Sequence, residues 1–187
     1  MAKSAAMIWK SASGTVGKEL TITTKRSGTV LIGKHRKASS VDPTEDQLKV
    51  QQKFKQGTIY AKAVMQNPDL KAQYQAAAKN DQSAYNVALR DAFKAPEIND
   101  VSTASYTGAI GTTITVRATD DFKVAGVKVQ ITNAAGVLLE QGDAILLENG
   151  LDWLYTATVL NDAVQGSIIT VSAKDLPANE TVKEIVL

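Results

Sequence analysis

Apolar and polar positions change period twice along this chain. Over the first 40 or so residues they mark short strands. Leu20-Thr21-Ile22-Thr23-Thr24 and Thr29-Val30-Leu31-Ile32 flank Lys25-Arg26-Ser27-Gly28, a connection with glycine near its end, which predicts a β-hairpin. Ala6-Met7-Ile8-Trp9 is a candidate third strand. Two strands alone are marginal in water, so this sheet is expected to lean on the helices that follow or on another subunit.

The period then becomes helical. Asp42-Pro43-Thr44-Glu45 predicts a helix start with Asp42 as N-cap, Pro43 in the first turn and Glu45 reaching back. The helix is expected to run to about Gln66, with Leu48, Phe54, Ala61 and Met65 roughly on one side and Gly57 weakening its middle. Asn67-Pro68 repeats the start signal for a second helix carrying Leu70, Tyr74, Ala77 and Ala78. After Asn80-Asp81, the residues Ala84, Tyr85, Ala88, Leu89, Ala92 and Phe93 give the clearest amphipathic pattern. Pro96 ends it, because the residue before proline avoids the helical region. The predicted domain boundary is Ala95-Pro96-Glu97.

From Ile98 onward the period is two. Ile114, Val116 and Ala118 alternate, then Val127, Val129 and Ile131, ending at the turn Asn133-Ala134-Ala135-Gly136. Val137 to Leu139 follows, then Trp153, Tyr155, Ala157 and Val159, then Ile169, Val171 and Ala173, then Thr181 to Leu187. About seven short strands with regular turn signals predict a β-sandwich.

The stretch Ile114-Thr-Val-Arg-Ala-Thr-Asp120, Val127-Lys-Val-Gln-Ile131, Trp153-Leu-Tyr-Thr-Ala157, Ile169-Thr-Val-Ser-Ala-Lys-Asp175 and Asn179 resembles the immunoglobulin-like modules of bacterial surface and phage structural proteins. The resemblance covers the last 90 residues or so and implies a structural, spacer or adhesive role. Gly33-Lys34-His35-Arg36-Lys37, Pro43-Thr44-Glu45-Asp46-Gln47 and Phe54 resemble a class of uncharacterised bacterial proteins, some phage-borne, and that resemblance brings no activity. The expected fold is an α+β N-terminal module, a β-hairpin plus about three helices, over residues 1–96. An all-β immunoglobulin-like sandwich follows over 97–187.

Composition narrows the chemistry. There is no cysteine, which excludes disulfides, zinc–thiolate sites and thiol catalysis. The N-terminal stretch lacks the apolar run of a secretory signal, and nothing approaches the length of a membrane span. The net charge of +2 conceals an asymmetry: residues 1–96 carry 16 Lys+Arg and 7 Asp+Glu, a net of +9, and residues 97–187 carry 5 and 12, a net of −7. Such ends attract their counterparts on neighbouring copies, although a basic half that binds a polyanion beside a merely solubilised acidic half fits the same counts.

Lys25, Arg26, Lys34, His35, Arg36 and Lys37 form the candidate interface. They read as a solvated hairpin edge, as a contact for an acidic protein, or as a phosphate-binding strip. The missing interleaved aromatics argue against nucleic acid. His35, the only histidine, reads as a plain surface residue. Asp120-Asp121, Asp143, Asp152 and Asp175 fall at predicted loops and could gather for calcium, but no EF-hand spacing accompanies them, and loop aspartates ordinarily form turns. Gly14-Thr-Val-Gly17 is not a phosphate-binding loop, and Trp9 and Trp153 read as core anchors. Asn179-Glu180-Thr181 matches a glycosylation sequon, which matters only in a eukaryotic secretory route.

No catalytic residue, cofactor or metal is assigned. The expectation is a non-enzymatic structural subunit that self-associates head-to-tail in a virion, tube or extracellular filament, a homo-oligomer or polymer with no membrane span. The alternative is a surface-exposed module that binds a glycan or protein and docks through its basic N-terminal part.

Overall fold

The predicted hairpin forms in a computed structural model, which describes residues 2–4, 12–25, 27–38, 40–79 and 81–187. Strand β3 (Leu20–Thr24) pairs antiparallel with β4 (Val30–Lys34), register Ile22↔Ile32. Two strands not read from the sequence flank it. β1 (Ala2–Ser4) pairs with β4, and β2 (Gly14–Val16) pairs with β3, giving the order β1-β4-β3-β2. The hairpin is therefore supported within its own sheet. Ile22 and Val30 are its buried side chains, at 5% and 1% exposure. The candidate strand at Ala6–Trp9 lies outside the described residues.

Thr44, not Asp42, caps the first helix, α1 (Glu45–Gln66). The Thr44 hydroxyl accepts from the Gln47 N–H, and the Gln47 side chain accepts from the Thr44 N–H, a capping box two residues later than expected. Gln47 can reach back three residues to Thr44, and this reciprocal pair sets the first turn. The buried face also differs from the expectation. Gly57, Ala61 and Val64 are buried, and Leu48 and Phe54 are about half exposed. A glycine that weakens the helix in isolation is thus part of its packed stripe.

Helix α2 (Pro68–Ala76) starts as predicted. The Asn67 side chain accepts from the N–H groups of Asp69 and Leu70, with Pro68 in the first turn. Its Tyr74 is fully buried and bonds Tyr60 of α1, hydroxyl to hydroxyl at 2.8 Å, with the rings edge to face. Helix α3 (Ala84–Asp91) begins where the Ser83 hydroxyl accepts from Asn86 N–H. It buries Ala84, Val87 and Ala88.

Contacts divide the chain into two compact units, Met1–Ala88 and Leu89–Leu187, so the division falls inside α3, upstream of the boundary predicted at Pro96. The second unit holds two four-stranded antiparallel sheets. One has the order β5-β6-β10-β9, with β5 (Glu97–Ser102), β6 (Thr113–Thr119), β9 (Ile145–Leu146) and β10 (Asp152–Thr156). The other has the order β12-β11-β7-β8, with β7 (Val124–Thr132), β8 (Leu138–Asp143), β11 (Ile168–Asp175) and β12 (Glu180–Val186). Among the described residues the fold is thus mixed α+β, three helices and three antiparallel sheets. Among the described residues no helix is long and apolar enough to cross a membrane.

Alternation fills one core from both sheets of the second unit. Ile114 and Val116 of β6 and Trp153 and Tyr155 of β10 belong to the same buried cluster as Val129 and Ile131 of β7 and Ile169 and Val171 of β11. Strands β5 and β9 were not read from the sequence. β9 has two residues, and β5 reads Glu-Ile-Asn-Asp-Val-Ser, with only Ile98 and Val101 packed against the core. Neither offers a run of alternation long enough to detect.

The two candidate caps of α1 can be separated experimentally. Thr44→Ala is expected to cost about 1 kcal/mol of helix stability and to speed amide exchange in the first turn, while Asp42→Ala leaves both unchanged. Equal losses in the two variants would show that the capping box is misplaced.

Candidate functional site

The apolar stripe of α3 ends on a carboxylate. Asp91 follows Val87 and Ala88 by four and three residues, on the same side of the helix, and is only 1% exposed. The β6–β7 turn supplies Asp120, whose Oδ2 accepts from the N–H groups of Phe122 (3.2 Å) and Lys123 (3.1 Å). Asp175 closes β11 at a register shift, 3% exposed. It accepts from Asn179 twice, from the backbone N–H at 2.6 Å and from the side-chain amide at 2.7 Å. Asn179 also donates to the Asp91 carbonyl at 3.4 Å. One carboxylate oxygen of each aspartate lies within 4.8 Å of the other two.

Three acids this close repel one another unless a proton or a cation intervenes. Burial pushes the Asp175 carboxyl above its usual range, the Asp120 charge adds to the rise, and the hydrogen bonds from Asn179 oppose it. Oδ1 of Asp120 is buried without a hydrogen-bond donor. The next residue, Asp121, is itself paired with cations. Asp121 takes Lys94 at 2.8 Å and Arg90 at 3.7 Å, and the Lys94 hydrogen bond holds its carboxyl below the usual range. Chemically, the three aspartates can share protons or offer three oxygens to a divalent cation. Calcium takes six to eight oxygens, so they would form only part of its shell. Acidic groups also gather without a metal, and the cluster by itself assigns no ligand.

Of the aspartates singled out in the sequence, the structure brings Asp120 and Asp175 together and separates the rest. Asp152 of β10 holds Arg117 of β6 bidentately, at 2.7 and 2.9 Å, and accepts from Asn149. These bonds, that from Arg117 first, hold its carboxyl below the usual range. Asp91 was missed, although a carboxylate on the apolar stripe of the most amphipathic helix is a signal the sequence carries.

The candidate basic interface divides along the hairpin. Lys25 stands at the turn, 3.7 Å from Asp81. Asp81 also accepts from Ser27 N–H and hydroxyl, and the backbone bond does most to lower its carboxyl. Lys34, Arg36 and Lys37 are exposed at the opposite end, beyond the length of β4. His35 is half-buried, with Nδ1 3.3 Å from the Thr21 hydroxyl. Arg26 lies outside the described residues.

Two further features belong to the second unit. Glu140 of β8 is 7% exposed, and its Oε2 accepts from Thr158 N–H, Thr158 hydroxyl and Val159 N–H. Burial and then the neighbouring Glu140 push the Tyr155 phenol well above its ordinary range. A cavity of about 260 Å³ is lined by Phe122, Lys123, Leu146, Leu151 and Trp153, with Asp120 at its edge.

No family model and no curated protein matches this chain. The crystal structure of an engineered protein, at 1.98 Å, is similar over 59% of this chain and 30% of its own, at 14% identity and a TM-score of 0.34. A likeness at that level carries no argument.

Asp120→Asn tests the repulsion directly. Asp175, with its folded pKa raised, stabilises the protein below its unfolded pKa, and that stability is lost as pH rises through the folded value. At neutral pH the cluster is therefore strained. The variant keeps an oxygen for Phe122 and Lys123 and gains an amide donor, so in chelator at pH 7 it is expected to be on the order of 1 kcal/mol more stable. The gain should shrink as pH falls towards 4, read by thermal unfolding. A lower unfolding temperature at pH 7 would overturn this account.

Proposed function

We propose that the chain is a non-enzymatic structural subunit that self-associates head-to-tail into a virion, tube or extracellular filament. The observation that carries this reading is an apolar stripe on α1 whose first half is exposed at Val50. Val50, Phe54, Gly57, Ala61 and Val64 recur at alternating intervals of four and three residues, a coiled-coil-like stripe. Its second half is buried, whereas Val50 and Phe54 are 63% and 51% exposed, and residues 42–56 are exposed throughout. Three helical turns in water are marginal by themselves, and an apolar stripe of this kind suits docking into a groove.

Charge selects the occupant. On the exposed turns themselves Lys49, Lys53 and Lys55 are balanced by Asp42, Glu45 and Asp46, so the asymmetry is that of the halves: residues 1–96 carry a net of +9, with Lys34, Arg36 and Lys37 exposed, and residues 97–187 a net of −7. The acidic unit of the next copy is the complementary surface. A head-to-tail contact that does not close propagates into a filament.

The order of the strands supports reading the second unit as an immunoglobulin-like sandwich. Lettered A, B, C, C′, D, E, F and G in chain order, β5 to β12 give sheets A-B-E-D and G-F-C-C′. The unit departs from antibody domains in lacking the cysteine pair and in placing its tryptophan on strand E rather than on C. A second reading, a binding module for a glycan or protein, rests on the cavity beside Trp153. A blank glycan array with the full chain would count against its glycan form.

Light scattering and negative-stain microscopy test the principal reading. Ordered polymers are expected at about 0.05 M salt, dissolving to species no larger than a dimer near 1 M, where screening reaches within about 3 Å. Val50→Asp should prevent the polymers at low salt. Polymers absent at every salt and concentration would overturn the proposal.

A further inference from the structure

The second unit has two unlike poles. Strands β6 and β11 run towards the carboxylate cluster, ending next to Asp120 and at Asp175. The connections 103–112, 133–137 and 157–167 gather at the other end. Gly111 N–H donates to the Ala157 carbonyl and Asn161 N–H to the Gly108 carbonyl, both at 2.8 Å. The buried Asn161 amide donates to the Tyr106 hydroxyl (3.2 Å) and the Ser167 hydroxyl (3.0 Å). Glu140 holds the segment at Thr158 and Val159 from β8. Gly108, at φ +84°, has no room for a side chain, since a Cβ would strike Asn161 O and Val164. These connections are fixed by buried bonds and close packing rather than left loose.

On this frame stand five large aliphatic side chains: Ile110 at 66% exposure, Val137 at 57%, Leu138 at 48%, Val159 at 41% and Leu160 at 54%. Asp162 is the one charged residue in the three connections, in a chain where 21% of residues are charged. Exposed apolar groups gathered on one surface mark a place where something binds. An acidic protein, a nucleic acid or an anionic membrane would each need cations, and these connections have none.

We propose that this pole docks on the same pole of a second copy through a two-fold contact. A two-fold interface sets each surface against itself, so any charge on it meets a like charge. On this patch the penalty is confined to one exposed carboxylate, Asp162. Five side chains at these exposures offer on the order of 500 Å² per copy, and pairing would bury about 1,000 Å² in all, where specific interfaces begin. The pre-set loops keep the ordering cost of binding low. The contact is distinct from the head-to-tail joint: that joint needs α1 and a choice of partner that salt screens, and Val50→Asp removes it without touching this pole.

Sedimentation of the full chain near 1 M salt is the test. A dimer is expected for the wild type and equally for Val50→Asp, which removes only the head-to-tail joint. Leu160→Glu should shift the dimer dissociation constant upward at least ~10-fold, since each copy then presents a second carboxylate to the other in place of an apolar contact. Its unfolding temperature should not change, and Val137→Glu, on a different connection, should give the same result. A monomer at about 100 µM in both wild type and Val50→Asp would overturn the proposal. So would a dimer that both charged variants leave intact, or a monomer that instead floats with neutral phosphatidylcholine vesicles. A chain that never polymerises at low salt but remains dimeric at high salt would remove the head-to-tail reading and leave this one standing.

Discussion

Apolar burial between two sheets that no disulfide joins is the interaction on which the C-terminal unit depends. Ile114, Val116, Val129, Ile131, Ile169, Val171 and Ala173 are all at 0% exposure and come from both sheets. Each large aliphatic side chain so buried contributes about 1.5–3 kcal/mol. With no cysteine in the chain, this core cannot hand any of its task to a disulfide. The strands meet it by strict alternation, and the connections need another means of attachment.

That means is the buried polar side chain. Glu140 secures the segment after β10, Asn161 ties the β5–β6 connection to Ser167, and Asn179 joins Asp175 to the end of α3. Buried carboxylates serve well where backbone N–H groups satisfy them, as at Glu140. They serve less well where several converge, as at Asp91, Asp120 and Asp175. One pole carries a single charge, that of Asp162, and the other concentrates carboxylates, so one domain presents two surfaces of unlike chemistry.

The legible parts of the sequence were those with many residues voting for one period. The strands containing Ile114, Val129 and Ile169 alternate for seven residues or more and stand where expected. Helix α2 was equally plain, because Asn67-Pro68 combines a cap with a first-turn proline. Strands β2 and β9, three and two residues long, pair with the strand that follows each in sequence, but are too short to show an alternation of their own. The cap of α1 slid from Asp42 to Thr44 because side-chain reach, not residue type alone, decides which candidate closes the box. The carboxylate cluster was half visible. Asp120 and Asp175 could be suspected, but only tertiary structure carries Asp91 to them from a helix read as amphipathic.

The pairing of the strands also sets an order of events. In the first unit the helices close local contacts and β3 meets β4 across a tight turn. In the second, Arg117 finds Asp152 across 35 residues and Thr132 reaches Ile168 across 36. Long-range pairings are slow to form, and chains fold from the N-terminus as they emerge during synthesis. The first unit, α1 with its exposed Val50 included, can therefore be complete while the second is still being made. If the head-to-tail joint proposed above forms, a newly made chain offers its half of it before its own C-terminal unit exists, so the first acceptor it meets is one already finished on an older copy.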